Sequence, residues 1–372
     1  MDAVADRMRV FLRERVLPVE KALIAGDAAA LRQAQDAARA AGLWALPLPV
    51  ALGGQGLPLA EYAELAVVEG HSDAGPAVTG SDLLLDATML DAYGSSTVRD
   101  RFLRPMVAGA APPSFAMTEP GQAGSDPATL ATTAVRAGDA YVLTGRKWFT
   151  SRAALAAFTT VACRTDDGGV SLIVVPAESL RIVREIPVLG AGGQYELQLD
   201  GVRVPADHLL GAAGAGLAIA GERLALGRTL RCLRWLGQAQ RAFDLMRDRL
   251  RTRIVRGQPL ASRELLHGYV FDSHAELAAA GALTRAAVTA LGTGADVKNA
   301  VATAKVVTAR AFDAIVDRAI QVYGAEGLTD DTPLAMLHRT ARAARILDGP
   351  DETHISAVAR RLLTSPPAAA LS

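Results

Sequence analysis

Phe115 to Asp126 reads FAMTEPGQAGSD, and it stands where one kind of sequence gives way to another. Upstream of it the pattern is helical. "DAAALRQAQDAARAAGLWAL" repeats apolar positions at three- and four-residue spacing. "LPVALGGQGLPLAEYAELAVVEG" adds a Gly-rich turn and another helix, and Pro112-Pro113 closes the region. Downstream, "AYVLTGRKWFTS", "FTTVACRT", "VSLIVVP", "RIVREIPVL" and "YELQLDGVRVP" are short runs rich in Val, Ile, Thr and aromatics, parted by Gly, Asp and Pro. Gly138-Asp139 sits before a strand, as in a hairpin. These runs predict a compact antiparallel sheet or barrel rather than βαβ units. No GxGxxG follows a strand and opens a helix, which leaves a Rossmann fold without support.

From Gly211 the helical spacing returns. "LALGRTLRCLRWLGQAQRAFDLMRDRLRTR" and "VKNAVATAKVVTARAFDAIVDRAIQVYG" each exceed a mean helix, and such segments predict an antiparallel bundle. The expected organisation is α+β and multidomain: helical over 1–112, β over 113–210 and a helical bundle over 211–372, with a loose tail "TSPPAAALS".

The 372 residues allow two or three packed regions, and half of them are hydrophobic. Lys+Arg and Asp+Glu both number 39. Zero net charge argues against a nucleic-acid binder held by bulk electrostatics, and it permits self-association. Cys163 and Cys232 form neither a CxxC nor a Cys/His zinc spacing. One disulfide between them is possible, but a reduced cytoplasm is the simpler setting. The charged start "MDAVADRMRVFLRERVLP" lacks a signal-peptide core, and no uncharged apolar stretch has the length of a membrane span.

Each motif has a plain reading beside the functional one. FAMTEPGQAGSD is a polar loop, or glycines that let a flat polar ligand approach hydroxyls and backbone. In "GRKWFTS", strand alternation places Trp148 and Thr150 on one face and Phe149 on the other. That is a core strand, or an indole and a hydroxyl offered to a cofactor edge. In "QVYGAEG", Gly324 is a helix C-cap or part of a phosphate contact. "RTRIVRGQPL" is a solvated helix end, or an anion site.

Taken in this order, the motifs resemble the acyl-CoA dehydrogenase family over nearly the whole chain. FAMTEPGQAGSD is similar to its flavin-contacting signature with one extra residue, since the usual form is PGAGSD. KWFTS resembles the strand against the flavin ring, and "LDGVRVPADHLLG" the strand leading into the bundle. "RTRIVRGQPLASRELL" resembles R-x-x-F-G-x-P-L, with Arg256 where Phe is usual. "QVYGAEGLTDDTPLAMLHRTARAARILDGPDETH" resembles Q-x-x-G-G-x-G, with Ala325 for Gly, followed by the catalytic loop.

The resemblance implies a helical N-domain, a middle β-domain and a C-terminal four-helix bundle enclosing FAD and an acyl thioester. Met117 and Thr118 would meet the flavin, Trp148 would cover it, and Thr150 would reach its N5 side. Arg253 and Gln321, with the Gly324-Ala325 backbone, would hold the diphosphate of a neighbouring subunit's FAD, which implies a homodimer or homotetramer. Ser125 and Arg228 would lie toward the substrate, and Glu352 or Asp351 toward FAD. The substrate would be carried on CoA or on a carrier protein, and an electron-transfer flavoprotein would take the electrons. The short stretch between "VPAESL" and "VLGAGGQYEL" would alter the acyl or carrier contacts.

The family's base is a Glu in a Y-E-G-T loop. Aligned from Arg339, Asp348 takes the Glu place, Leu347 the Tyr place and Pro350 the Thr place. The α-proton would pass to Asp348 while hydride leaves Cβ for flavin N5. An ordinary Asp, with a pKa of about 3.9, is a weak base for this proton. Enclosure by ligand and by apolar neighbours such as Ile346 and Leu347 would strengthen it. Gly349-Pro350 reads as a helix start, with Asp351 and Glu352 in the first turn and His354 structural. No metal is expected. A flavin monooxygenase of the N-hydroxylase kind is an alternative on the same fold, as is a noncatalytic relative; Asp348 speaks against the first.

Overall fold

The structure is a computed structural model that describes residues 2–166 and 169–364; the tail from Ser365 onward, expected to be loose, lies outside the described residues. The chain packs into two compact units, one of Met1–Tyr62 with Ser72–Leu226, the other of Ala63–His71 with Gly227–Ser372.

The first unit opens with helices α1 (Asp2–Phe11), α2 (Glu20–Ile24) and α3 (Ala28–Ala40). Helix α3 shows how local sequence sets an element. The Asp27 carboxylate accepts from the amides of Ala29 and Ala30 at 2.8 and 3.0 Å, which satisfies donors the first turn leaves open. Its buried face is Ala34 and Ala38, four residues apart. Helix α4 (Leu59–Glu69) begins in this unit, and α5 (Gly75–Thr79), α6 (Leu84–Tyr93), α7 (Ser96–Val98) and α8 (Arg104–Val107) complete the helical region.

Seven strands follow: β1 (Pro113–Ala116), β2 (Thr133–Ala137), β3 (Ala140–Ser151), β4 (Phe158–Thr165), β5 (Val170–Pro176), β6 (Arg181–Glu185) and β7 (Gln194–Pro205). Their order is β1-β4-β2-β3-β7-β6, with β5 also paired to β4. Gly138-Asp139 makes the expected hairpin between β2 and β3. The sheet is mostly antiparallel, but β1 and β2 both run parallel to β4, an arrangement that run composition does not reveal. β5 is buried along its whole length, whereas β6, at the edge, is exposed along its whole length. Tyr141, Leu143, Val161, Ile173, Leu197 and Leu199 belong to the sheet's core.

The β3–β7 ladder holds two irregularities of opposite sense. Leu143 pairs Val202 and Gly145 pairs Leu199, so β7 carries an extra residue there; Lys147 pairs Leu197 and Thr150 pairs Tyr195, so β3 carries the next one. After both, the pairing returns to its original register.

Helix α9 (Gly216–Thr252) contributes to both units. The second unit continues with the two-stranded hairpin β8 (Ile254–Val255) and β9 (Gln258–Pro259), then α10 (Leu265–Thr293), α11 (Val297–Tyr323), α12 (Leu334–Ala344) and α13 (Asp351–Thr364). Its core is drawn from four helices, α9 to α12, including Trp235, Met246, Ala287, Phe312, Ile315 and Leu337. The later residues of α4 group with this unit. Gly70 lies against the α9 backbone at Arg234, and an added Cβ there would come within 2.7 Å of Arg234 Cα; one added at Gly237 on α9 would come within 2.7 Å of the Gly70 backbone and closer still to the Val67 carbonyl. Cys163 and Cys232 are both buried and unbridged. Burial pushes each thiol up to about 12. Among the described residues, no helix is long and apolar enough to cross a membrane.

Candidate active site

In the first unit, a buried ion pair builds the loop that bears Met117 and Thr118. Lys147 Nζ donates to Glu119 Oε1 at 2.6 Å and to the Met117 carbonyl at 2.9 Å. Glu119 also accepts from the amides of Ala131 and Thr132 at 2.6 and 3.0 Å. One carboxylate therefore ties the start of the 120–130 loop to its end. Burial works against the charge on Glu119, but the bonds from Lys147, Thr132 and Ala131 outweigh it and hold the carboxyl below the usual range. We expect Lys147→Met to strand this carboxylate, loosen the loop and lower FAD retention severalfold, read as bound flavin per chain after gel filtration. Unchanged flavin content would mean that the loop holds itself.

The β3 bulge changes the expected display of Trp148, Phe149 and Thr150. Alternation places Trp148 and Phe149 on opposite faces, but the extra residue breaks the alternation. Phe149 adopts φ 50°, rare for a bulky side chain, and its ring lies 5.0 Å from that of Trp148. The Trp148 amide leaves the ladder and donates to the Thr118 carbonyl at 3.0 Å. Trp148 Nε1 and Thr150 Oγ1 are buried, and neither has a hydrogen-bond partner among the described residues. Two orphaned polar atoms beside an indole face fit a flat ligand with hydrogen-bonding edges, such as a flavin ring. Ser125 is exposed in the same loop, beyond Gly124.

In the second unit, residues 345–354 turn from α12 into α13. Asp348 sits at the turn with φ 56°, a left-handed conformation that Asp tolerates, and Gly349 follows at φ 100°. An added Cβ at Gly349 would come within 2.9 Å of His354 Nε2, so this glycine lets the ring lie against the turn. The Asp348 carbonyl accepts from Arg228 Nε at 2.9 Å and lies 3.1 Å from His354 Nε2. A carbonyl only accepts, which assigns the His354 proton to Nε2. Burial lowers the His354 pKa and favours the neutral ring. The Asp348 carboxylate, 23% exposed, meets Arg231 Nε at 2.8 Å.

Three residues on, Asp351 is 1% exposed and opens α13, as its place in the first turn predicts. It is not available to a ligand. Lys305 Nζ approaches one carboxylate oxygen at 3.1 Å, and Arg310 and Arg345 approach the other at 3.2 Å. Burial opposes its charge, but these cations prevail and hold the carboxyl below its usual range. Glu352 beside it is exposed. Ile346 and Leu347, expected as apolar neighbours of the base, are 58% and 38% exposed. The contact at the Asp348 carboxylate is the cationic Arg231 of α9.

The third cluster is at the end of α11. Gly324 caps the helix at φ 67°, with its amide donating to Ile320; Gln321, Gly324 and Ala325 are exposed, as is Arg253 before the β8–β9 hairpin. Arg256 and Gly257 form the hairpin tip, both at positive φ (52° and 75°), so Arg256 replaces the usual Phe without disturbing the ladder. Glu326, next to Ala325, is bound by Arg249 at 2.6 Å.

The sequence matches the acyl-CoA dehydrogenase N-terminal domain over residues 1–110, the middle domain over 114–202 and the C-terminal domain over 214–363. The chain belongs to the acyl-CoA dehydrogenase family. Probable acyl-CoA dehydrogenase FadE2 of Mycobacterium tuberculosis is 38% identical over 351 residues, covering 90% of this chain and 86% of that protein. Human acyl-CoA dehydrogenase family member 11 is 32% identical across 96% of this chain, which spans only 49% of that longer protein. A solved probable acyl-CoA dehydrogenase from Mycobacterium abscessus superposes with a TM-score of 0.88 at 28% identity, covering 97% of this chain and 98% of that one.

As an acyl-CoA dehydrogenase the chain is an FAD-dependent oxidoreductase of the class acting on CH–CH groups. The first unit gathers Met117, Thr118, Trp148 and Thr150 around one loop and one strand. The second gathers Arg228 with Asp348, and Gln321 with Gly324 and Ala325. Sequence reasoning missed Glu119 and Lys147, whose partnership spans 28 residues with no local signal. It also missed Arg231, although "RTLR" places it one helical turn after Arg228.

Proposed function

We propose that this acyl-CoA dehydrogenase oxidises the Cα–Cβ bond of an acyl thioester, with Asp348 as the base for the α-proton. The observation that carries the reading is the fixed placement of Asp348: a partly exposed carboxylate on a turn whose carbonyl is held by Arg228 and His354. A general base must be oriented before its proton affinity matters, and a clamped backbone orients a short side chain. FAD, when bound, supplies the hydride acceptor. Trp148 and Thr150 offer an apolar face and unpaired polar atoms to hold its ring, while Met117 and Thr118 border it. Arg253, Gln321, Gly324 and Ala325 bind the diphosphate of the FAD of a neighbouring subunit, in a homodimer or homotetramer. Their common exposure supports this. Glu352 lies toward FAD, and Ser125 and Arg228 toward the thioester. The domains run over 1–112, 113–210 and 211–372, the acyl group is carried on CoA or on a carrier protein, and an electron-transfer flavoprotein accepts the electrons.

The test is anaerobic mixing of the FAD-loaded enzyme with short-, medium- and long-chain acyl-CoAs and with the same acyl groups on a carrier protein. We expect flavin bleaching by at least one. Bleaching by none, in a yellow and folded protein, would reject thioester dehydrogenation.

A further inference from the structure

The turn that carries Asp348 is held at its backbone by Arg228 and His354, yet its carboxylate has a separate cationic partner. Arg231 lies one turn along α9 from Arg228, so the two guanidinium groups share a helix face and divide the work. Arg228 bonds the carbonyl and Arg231 the carboxylate. We propose that Arg231 is a positioning residue that aims the Asp348 carboxylate and keeps it ionised, so that it sets the acid limb of the pH dependence. This rests on the reading of Asp348 as base.

Several charged groups surround the carboxylate, and most of them have contacts elsewhere. From α9 come Arg228, Arg231 and the thiol of Cys232, which burial keeps protonated. From α11 comes Lys305, whose Nζ is committed to Asp351. From α13 come Asp351 and the near-neutral His354, and from the end of α12 comes Arg345, also bound to Asp351. Lys305 and Arg345, with Arg310 of α11, are directed at Asp351, and Arg228 is turned to the carbonyl. Arg231 makes a direct ion pair with the Asp348 carboxylate at 2.8 Å. A short Asp also has one methylene fewer to wander with than Glu, so a single lateral contact suffices to fix its aim.

An opposite charge in contact lowers the proton affinity of a carboxylate, by roughly one to three pH units. The experiment uses FAD-loaded enzyme labelled with carboxyl-13C aspartate, with pH-difference infrared spectra taken against Asp348→Asn to isolate the Asp348 band. In Arg231→Gln the titration midpoint should move up by about one unit or more. The acid limb of kcat/KM, measured with whichever acyl-CoA bleaches the wild-type flavin, should move with it. Each unit costs tenfold in rate on the acid side. Arg231→Lys, which keeps the charge but loses the planar fork, should recover most of the shift, and Arg231→Met provides a second uncharged variant if the Gln variant folds poorly. A midpoint that stays in place or moves down in the folded uncharged variant, with flavin content intact, would overturn the proposal. Failure of Asp348 as base has a different signature: Asp348→Asn would still bleach, whatever the infrared midpoint of Arg231→Gln.

Discussion

Asp348→Asn should retain bound FAD and the native fold yet lose anaerobic flavin reduction by roughly two to four orders of magnitude. Asn keeps the shape of the side chain but cannot take a proton. The turn should survive the change, because its backbone is held through the Asp348 carbonyl, which Asn keeps, and only the charge opposite Arg231 is lost. Asn also tolerates the left-handed conformation. The measurement is stopped-flow bleaching at 450 nm or so, the flavin band, beside a flavin-to-protein ratio. Bleaching at the wild-type rate would remove Asp348 as the base and send the search to another carboxylate.

The second large effect should appear in stability. Asp351→Ala leaves the fully buried Lys305 facing a cavity, with Arg310 and Arg345 released. Breaking a buried pair by removing one partner costs about 3–5 kcal/mol. Lys305 can soften this by losing its proton, since burial already lowers its pKa. A double change, Lys305→Met with Asp351→Leu, should recover much of the loss, because no buried charge then remains. Urea unfolding followed by helix signal would measure both. The pH dependence has a definite sign. The Asp351 carboxyl is held below its unfolded value, so its contribution is complete above about pH 4 and disappears as pH falls through the lower folded value. Acid unfolding should be shallower in the Asp351→Ala protein. If single and double variants unfold together at the wild-type midpoint, the network contributes nothing to stability.

These two predictions separate what was legible in the chain from what was not. The alternation of helical and strand-rich stretches is a periodic signal, and it located the strands from Pro113 and the long helices after Gly211. The turn between α12 and α13, which bears Asp348, was legible because Gly349-Pro350 reads as a helix start. The uses of the neighbouring acids were less so. Asp351 was visible as a first-turn acid, but its partners come from a helix more than forty positions upstream and from the turn just before it. Long-range charge pairing has no period. The same holds for Glu119 with Lys147. Strand alternation failed at Trp148 for a local reason: one inserted residue reverses which side chains face inward, and nothing in KWFTS marks it.

That insertion has a consequence for how the site can vary. The ladder is counted by Lys147 on one side and Thr150 on the other, and it skips the two residues between them. Trp148 and Phe149 therefore lie off the sheet's hydrogen-bond count. Their side chains can be exchanged for others without shifting any strand against its neighbour, whereas a deletion of either would remove the extra residue, return the pair to a regular ladder and draw the backbone amide that reaches Thr118 back into the sheet. The protein has placed the aromatic pair nearest its proposed cofactor in the one stretch of that strand where composition is free to drift and length is not.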